Sequence, residues 1–220
     1  PSAPIIWDKK YNKGKVKVLI VNSGNANAHT GKRGIEIIDT YVDSITKHLG
    51  CKKSEVLVSS TGVIGEKFNP NLIVKKILKL KHTKPTSILN ASKAIMTTDT
   101  YPKISIKKIK IEKSAIEIVG IAKGSGMIMP NMGTMLAYIF INTYLTKLQL
   151  NKLLRNNLEN TFNSISVDSD TSTSDNLFLF STENKKIKIN NKNFKVLNKS
   201  LFDLMKDLSL KIIKDGEGLS

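Results

Sequence analysis

Cysteine, histidine and long apolar runs are scarce in this 220-residue chain, and each scarcity excludes a class of protein. The single cysteine, Cys51, rules out a disulfide within the chain. The three histidines are scattered, so we expect no zinc site and no resident metal. No apolar run approaches the ~20 residues that a membrane-spanning helix needs. These absences favour a cytoplasmic protein, or one of an organelle matrix after import, without a membrane partner.

Arginine is also scarce, although the net charge is +17. Only Arg33 and Arg155 are arginines, so the other 33 of the 35 basic residues are lysines. Planar, bidentate readout of phosphates or guanines is therefore almost absent. The lysines are spread along the chain, as on solvated faces. We predict no nucleic-acid partner and keep a non-catalytic, lysine-rich nucleic-acid binder as the alternative. The positive field would still favour an anionic substrate.

Stretches with the apolar spacing of helices alternate with short β-branched runs, which is typical of a single α+β domain of this length. Two neighbouring strands, 104–111 and 115–122, have the pattern of a hairpin. The predicted strands cover 15–21, 55–59, 104–111, 115–122, 135–141, 177–180 and 187–189. The predicted helices cover 34–49, 71–80, 86–96, 145–158 and 201–213.

The segment KGSGMIMPNMGTMLA, residues 123–137, places Thr134 after Gly133 and at the head of an apolar run. A hydroxyl that follows glycine has little steric cover and can attack the carbonyl before it. Cleavage there would give Thr134 a free α-amine that serves as general base for its own hydroxyl. The same Gly-Thr pair is common at ordinary strand starts, so the pattern alone leaves both interpretations open.

This segment is similar to the nucleophile signature of the ornithine acetyltransferase family, also called bifunctional glutamate N-acetyltransferase. Other segments match the family in the same order along nearly the whole chain. They are VNSGNANAHTG (21–31), VLVSSTGVIGE (56–66), AIMTTDTYPK (94–103), FNSISVDSDTSTSDN (162–176) and DGEG (215–218).

The resemblance implies a layered α/β sandwich, related to the amino-terminal-nucleophile hydrolases only in general logic. It implies one interwoven catalytic domain over residues 1–220 that cleaves itself between Gly133 and Thr134. Residues 1–133 would then be part of an α chain and residues 134–220 part of a β chain, assembled as a heterotetramer of two α and two β chains. Family members extend beyond both ends of this sequence, so we expect a fragment.

The resemblance assigns three catalytic residues. Thr134 is the nucleophile, and Thr61 with Gly62 forms the oxyanion hole. A hydroxyl and a glycine N–H can converge on one developing oxygen, because glycine permits close backbone approach. Without the resemblance, an ordinary Thr-Gly turn between a strand and a loop is the simpler interpretation.

Substrate binding is assigned to Thr97, Lys123 and Glu217, together with Thr134. An ammonium and a hydroxyl suit the α-carboxylate of an amino acid, and Glu217 suits an amine. The plain alternatives are a strand-edge lysine that guards against aggregation for Lys123 and a helix-end turn for Glu217. The run DSDTSTSD (168–175) lacks the central Gly and later Glu of a calcium loop, so we expect scaffold rather than a metal site there.

The implied activity is transfer of the acetyl group of N2-acetylornithine to glutamate through an acetyl-threonine, with ping-pong kinetics and no cofactor. Some relatives also use acetyl-CoA as co-substrate, which this sequence leaves open. An aminopeptidase-like hydrolase of related fold is the second enzyme hypothesis. The chain departs from the family pattern at Gly133, His29 and Ser169, where alanine, cysteine and glycine are common.

Overall fold

The computed structural model describes residues 1–126, 135–167, 174–182, 187 and 189–216, with only the backbone of Lys81. The contacts between its residues divide the chain into two compact units, 1–97 and 98–220. The helices are α1 (Ala3–Tyr11), α2 (Gly31–Leu49), α3 (Asn71–Leu78), α4 (Ile88–Ala94), α5 (Lys147–Leu158) and α6 (Asn191–Lys214). The strands are β1 (Val18–Asn25), β2 (Val56–Val63), β3 (Lys103–Ile111), β4 (Ser114–Lys123), β5 (Leu136–Ile141) and β6 (Asn176–Ser181). Short 3-10 helices cover Lys53–Glu55, Leu80–His82 and Phe162–Ser164.

The first unit is built on a parallel pair of strands, β1 and β2, which run in register from Val18 opposite Val56 to Asn25 opposite Val63. Helix α2 connects them, and its apolar face packs with residues of β2 in one buried cluster. Gly50 ends α2 in the left-handed conformation that glycine adopts most easily. Helix α1 packs against both α2 and β2. The unit is therefore a helical layer over a two-stranded sheet.

The strand β1 is longer at its end than its sequence predicts. We predicted a strand ending at Val21, yet the strand continues through the turn-rich residues NSGN to Asn25. The corresponding extension of β2 runs to Val63, so each extension pairs with the other. Backbone pairing thus overrides the turn preference of Asn, Ser and Gly.

The second unit contains a four-stranded sheet in the order β3-β4-β5-β6. The predicted hairpin of β3 and β4 is confirmed, and β4 and β5 also pair antiparallel, whereas β5 and β6 are parallel. Helix α6 packs on β3 and β4. Gly120 on β4 makes room for it, because a Cβ there would lie 2.8 Å from side-chain atoms of both Leu204 and Leu208. The core of the unit lies between this sheet and the helices α5 and α6.

The mixed, layered α+β class predicted from the sequence is confirmed, but individual elements differ. Helix α6 begins at Asn191, ten residues before its predicted start. The predicted strand at 187–189 is wrong at Ile187 and Ile189, which have no strand pairing and instead pack their side chains against the core. Helix α1 was not predicted. The division into pieces at residues 133 and 134 stays a prediction.

None of the helices in the described part of the chain is both long and apolar enough to cross a membrane.

Asp8 on α1 is a buried carboxylic acid in the core of the first unit, and only 8% of its surface is exposed. Its Oδ1 accepts the N–H of Val58 at 3.0 Å, and its Oδ2 has no hydrogen-bond partner among the described residues. Burial raises the pKa of Asp8 from 3.8 to about 8, against the opposing effect of the Val58 N–H. Its neighbour Trp7 is fully buried and is the only tryptophan of the chain.

Asp8 makes the stability of the protein depend on pH. Because its pKa is raised in the folded state, folding favours the neutral form of Asp8. The free energy of unfolding is therefore unaffected by this group below about pH 4, and it is reduced as the pH rises through about 8. We expect Asp8→Asn to be more stable than wild type at about pH 9, by a few kcal/mol more than at about pH 5. Urea unfolding followed by Trp7 fluorescence measures this difference. A constant difference between the two pH values would contradict the buried-acid interpretation.

Candidate active site

Four strand ends of the second unit meet at one end of its sheet. Strand β4 ends at Lys123, which lies opposite Leu136 at the start of β5, and Leu136 in turn lies opposite Asn176 at the start of β6. At the same end, β3 begins at Lys103. Three of the segments that carry the sequence motifs, 94–103, 123–137 and 162–176, adjoin these strand ends along the chain. The sheet therefore brings together motifs that are up to about 115 residues apart in sequence.

A buried ion cluster, formed by Asp99, Lys103, Lys123 and Asp215, occupies this end of the sheet. The ammonium of Lys103 bonds to Asp99 Oδ1 at 2.6 Å and to Asp215 Oδ2 at 2.5 Å. The side chain of Lys103 is fully buried, and its ammonium also lies 4.9 Å from the centre of the Tyr101 ring. Two lysines and two aspartates give the cluster no formal net charge, which is what burial of such groups requires.

Hydrogen bonds tie the cluster to the backbone of the motifs. Asp99 Oδ1 accepts the N–H of Gly124 at 2.7 Å, which joins TTDT to KGSG. Asp215 accepts the N–H of Thr100 at 3.0 Å and also its hydroxyl, which joins the start of DGEG to TTDT. The hydroxyls of Thr98 and Ser125 add a further bond of 2.6 Å. The three motifs are thereby held as one unit.

These contacts keep the carboxylates charged despite their burial. Burial alone would raise the pKa of Asp99, but the Gly124 N–H and the two lysine ammoniums outweigh it, and the pKa lies below its ordinary value. Burial likewise opposes ionisation of Asp215, yet the Lys103 ammonium and the hydroxyl and N–H of Thr100 lower its pKa. Both carboxylates therefore stay ionised at neutral pH.

Lys123 is a buried residue of an inner strand, with 2% of its surface exposed. The alternative that it is a strand-edge lysine protecting against aggregation is therefore wrong. Its ammonium lies 3.8 Å from Asp99 Oδ2, a charge contact outside hydrogen-bond distance. A buried ammonium at a sheet end suits recognition of a small carboxylate.

The start of β5 is held by Asp175, which directly precedes β6, and by Asn176, which begins it. The N–H of Met135 donates to Asp175 Oδ1 at 2.7 Å, and the N–H of Asn176 donates to the carbonyl of Met135 at 3.1 Å. Thr134 is joined covalently to Met135 but lies outside the described residues. These bonds thus fix the peptide that directly follows the predicted nucleophile.

Thr61 and Gly62, in the first unit, lie at the end of β2 opposite Ser23 and Gly24. Thr61 is buried, and Gly62 has a φ of +126°, which side chains rarely adopt. A Cβ at Gly62 would lie 2.3 Å from the carbonyl carbon of Gly24, so only glycine fits. The asparagines of the NSGNAN segment support this pairing: Ser60 Oγ donates to Asn22 Oδ1 at 2.6 Å.

The other predicted site residues are placed as follows. Thr97 is exposed and is the last residue of the first unit. Gly133, Thr134 and Glu217 lie outside the described residues, so their roles stay predictions.

The sequence predictions missed four residues of this region, Asp99, Lys103, Asp175 and Asp215. Three of them are carboxylates inside the quoted motifs, and their places in those motifs were the available signal. Lys103 closes the quoted segment AIMTTDTYPK, but a lysine directly before a strand with half-exposed alternation is typical of a solvated residue. Within the part of the chain that the structure describes, no group of His, Cys, Asp or Glu is arranged to hold a metal ion.

Comparison with known proteins matches the whole chain, residues 1–220, to the ArgJ family. The arginine biosynthesis bifunctional protein ArgJ of Bradyrhizobium diazoefficiens is 40% identical over 227 residues, which covers 99% of this chain and 55% of that protein. The ArgJ of Bartonella henselae is 40% identical over 224 residues with the same coverage. The crystal structure of ArgJ from Bacillus halodurans superposes with a TM-score of 0.54 at 34% identity, covering 61% of this chain and 70% of that chain.

These matches define a family of proteins named for arginine biosynthesis, and a member of it has a solved structure similar to this α+β fold. The chain belongs to the ArgJ family. It spans 55% of the length of the curated relatives that it matches, so what the whole protein does is a matter for proposal.

Proposed function

We propose that this chain is part of a self-processing acetyltransferase of arginine biosynthesis, which moves the acetyl group of N2-acetylornithine to glutamate. Thr134 attacks the acetyl carbonyl, and Thr61 and Gly62 stabilise the oxyanion of the tetrahedral intermediate. Ornithine leaves, and glutamate then takes the acetyl group from the acetyl-threonine. The hydroxyl is restored, so the two substrates react in turn.

One observation carries this proposal: in a chain of the ArgJ family, hydrogen bonds join TTDT to KGSG and to Asp215, the first residue of DGEG, at the end of the sheet where β5 begins. The nucleophile assigned by the resemblance is the residue two positions before that strand. A covalent acyl-transfer site needs groups that orient the substrate beside the nucleophile. The fixed motifs supply such groups.

The buried ammonium of Lys123 supports recognition of an amino-acid carboxylate. This ammonium is held 3.8 Å from Asp99 Oδ2 at the end of β4. An ammonium is a point charge with three N–H donors, which suits a substrate carboxylate. Thr97 contributes a hydroxyl to the same task, and Glu217 holds a substrate amine. Both substrates are amino acids, so one set of groups serves each half-reaction.

The proposed working form is a heterotetramer of two α and two β chains in the cytoplasm. Cleavage between Gly133 and Thr134 produces the two kinds of chain and frees the threonine amine. Acetyl-CoA is a second acetyl donor to test, and the acetyltransferase needs no other cofactor.

Incubation of the purified protein with N2-acetylornithine, with and without glutamate, tests the proposed transfer. We expect ornithine to accumulate continuously only with glutamate, and N-acetylglutamate to appear in equal amount. Without glutamate, ornithine release should stop at one equivalent per site. Continuous release without glutamate would instead identify the aminopeptidase-like hydrolase. No release by the cleaved protein would refute both.

Thr61→Ala is expected to lower turnover by roughly two to three orders of magnitude, the usual loss when one oxyanion donor is removed. The matched control is Ser60→Ala on the same strand, because that buried hydroxyl bonds to Asn22 and has no proposed catalytic part. Steady-state kinetics of both variants should separate them clearly. Equal turnover of Thr61→Ala and wild type would remove Thr61 from the oxyanion hole.

A further inference from the structure

The self-cleavage step has a requirement that the mature enzyme does not have. In the uncut chain, the α-nitrogen of Thr134 is part of the peptide bond to Gly133, so it cannot act as a base. Yet the hydroxyl of Thr134 must lose a proton when it attacks the Gly133 carbonyl. A different group has to accept that proton, and afterwards a proton has to reach the departing nitrogen.

Asp175 is the buried acid that bonds to the residue directly after Thr134. Its Oδ1 accepts the N–H of Met135 at 2.7 Å, and Met135 is the residue joined to Thr134. The α-nitrogen of Thr134 is three covalent bonds from the nitrogen that Asp175 holds, so the length of the chain limits how far the reacting peptide can be from this carboxyl group. Its Oδ2 is buried and has no hydrogen-bond partner in the ranges that the structure describes. One oxygen thus anchors the strand start, and the other is open to a proton.

The surroundings of Asp175 allow both of its protonation states. Burial raises its pKa to about 7, although the Met135 N–H and the positive charge of Lys123 on β4 act against the rise. The residue is only 8% exposed, so its carboxyl group exchanges little with bulk water. An acid with a pKa near the working pH can take a proton and return it within one reaction, which is the property of an efficient general base.

We propose that Asp175 is the proton-transfer residue of the cleavage between Gly133 and Thr134, a proposal that rests on self-processing at Thr134. Ionised Oδ2 takes the proton of the Thr134 hydroxyl as Oγ bonds to the Gly133 carbonyl carbon. The carbon–nitrogen bond then breaks, and Asp175 returns the proton to the nitrogen, which becomes the free amine. Water hydrolyses the resulting ester, which yields the Gly133 carboxylate and restores the Thr134 hydroxyl.

The variant Asp175→Asn separates proton transfer from anchoring. An asparagine Oδ1 still accepts the Met135 N–H, but the amide cannot take up a proton. We expect its cleavage, followed by intact mass over time after rapid purification, to be at least about 100-fold slower than in wild type. The wild-type rate should rise with pH through about 7, where the carboxyl group ionises, and that rise should vanish in the variant. Asp175→Glu should restore part of the rate and the pH dependence.

Asp8→Asn is the matched control, because Asp8 is equally buried, also accepts one backbone N–H, and also has one open oxygen. It lies in the first unit and has no part in the proposed site, so its cleavage rate should stay at the wild-type value. Cleavage of Asp175→Asn at the wild-type rate, with the wild-type pH profile, would overturn the proposal.

Coexpression of residues 1–133 with residues 134–220 bypasses the cleavage step, since the added initiator methionine is removed before threonine. With Asp175→Asn, this two-piece protein should assemble as its wild-type counterpart does, because asparagine keeps the Met135 anchor. Failure of the variant pieces to assemble would show that the carboxyl group acts on folding rather than on proton transfer, which would overturn the proposal. An inactive wild-type two-piece protein would refute the proposed transferase instead, so the two failures are distinguishable.

Discussion

Replacement of Thr134 by alanine is expected to leave the chain uncut and to reduce acetyl transfer to the uncatalysed background. Alanine has no hydroxyl to attack the Gly133 carbonyl, so no free α-amine forms, and no acetyl-threonine is possible. Loss of a nucleophile typically costs several orders of magnitude in turnover, about 10⁴-fold or more. Intact mass should show a single species of 24.4 kDa, and amino-terminal sequencing should find no chain beginning at residue 134.

Thr134→Ser is the control for this experiment, because it keeps the hydroxyl at the same position. We expect the serine variant to be cut, more slowly than wild type, and to retain measurable transfer. If the alanine variant is still split after Gly133, the nucleophile of cleavage lies elsewhere and the proposed self-processing is wrong.

Lys103→Met is expected to destabilise the protein by about 3–5 kcal/mol, the usual result of removing one member of a buried ion pair. Methionine has a similar volume but no charge, so Asp99 and Asp215 would face each other without the ammonium that now joins them. The free energy of unfolding in urea, followed by circular dichroism, measures the loss. The pKa of each carboxyl group should also rise, so the destabilisation should be larger at neutral pH than at about pH 4.

Lys108→Met provides the comparison on the same strand. Lys108 lies 3.6 Å from Glu117, but the two side chains are 78% and 40% exposed. Pairs of this kind contribute about 1 kcal/mol or less. Similar losses in the two variants would show that the ion cluster is no more important to stability than a surface pair.

The sequence alone was sufficient to predict the helices and strands whose apolar residues fall on the face that the fold buries. Helix α2 and the hairpin of β3 and β4 were predicted because one face of each is consistently apolar. Helix α1 was missed because it buries Pro4 and Asp8 beside Trp7 and has no continuous apolar face. The cause lies in tertiary packing, which no local window contains.

For the candidate site, sequence reasoning found the motifs but not the bonds between them. Asp99, Lys103 and Asp215 all stand inside the quoted motifs, yet Lys103 begins a strand that resembles a half-exposed one. Which charges meet depends on the order of strands in the sheet and on where α6 ends. That information is long-range, so a pattern of neighbouring residues cannot supply it.

The position of β5 inside the sheet determines how the two pieces would hold together if the chain is cut just before this strand. Strand β5 lies between β4 and β6, so hydrogen bonds border it on both sides. New chain ends usually fray, but one that leads into an inner strand is tied down. After a cut at Gly133 and Thr134, β3 and β4 would belong to one polypeptide and β5 and β6 to another. The two polypeptides would share a single sheet. They should therefore copurify under native conditions and separate only when that sheet is unfolded.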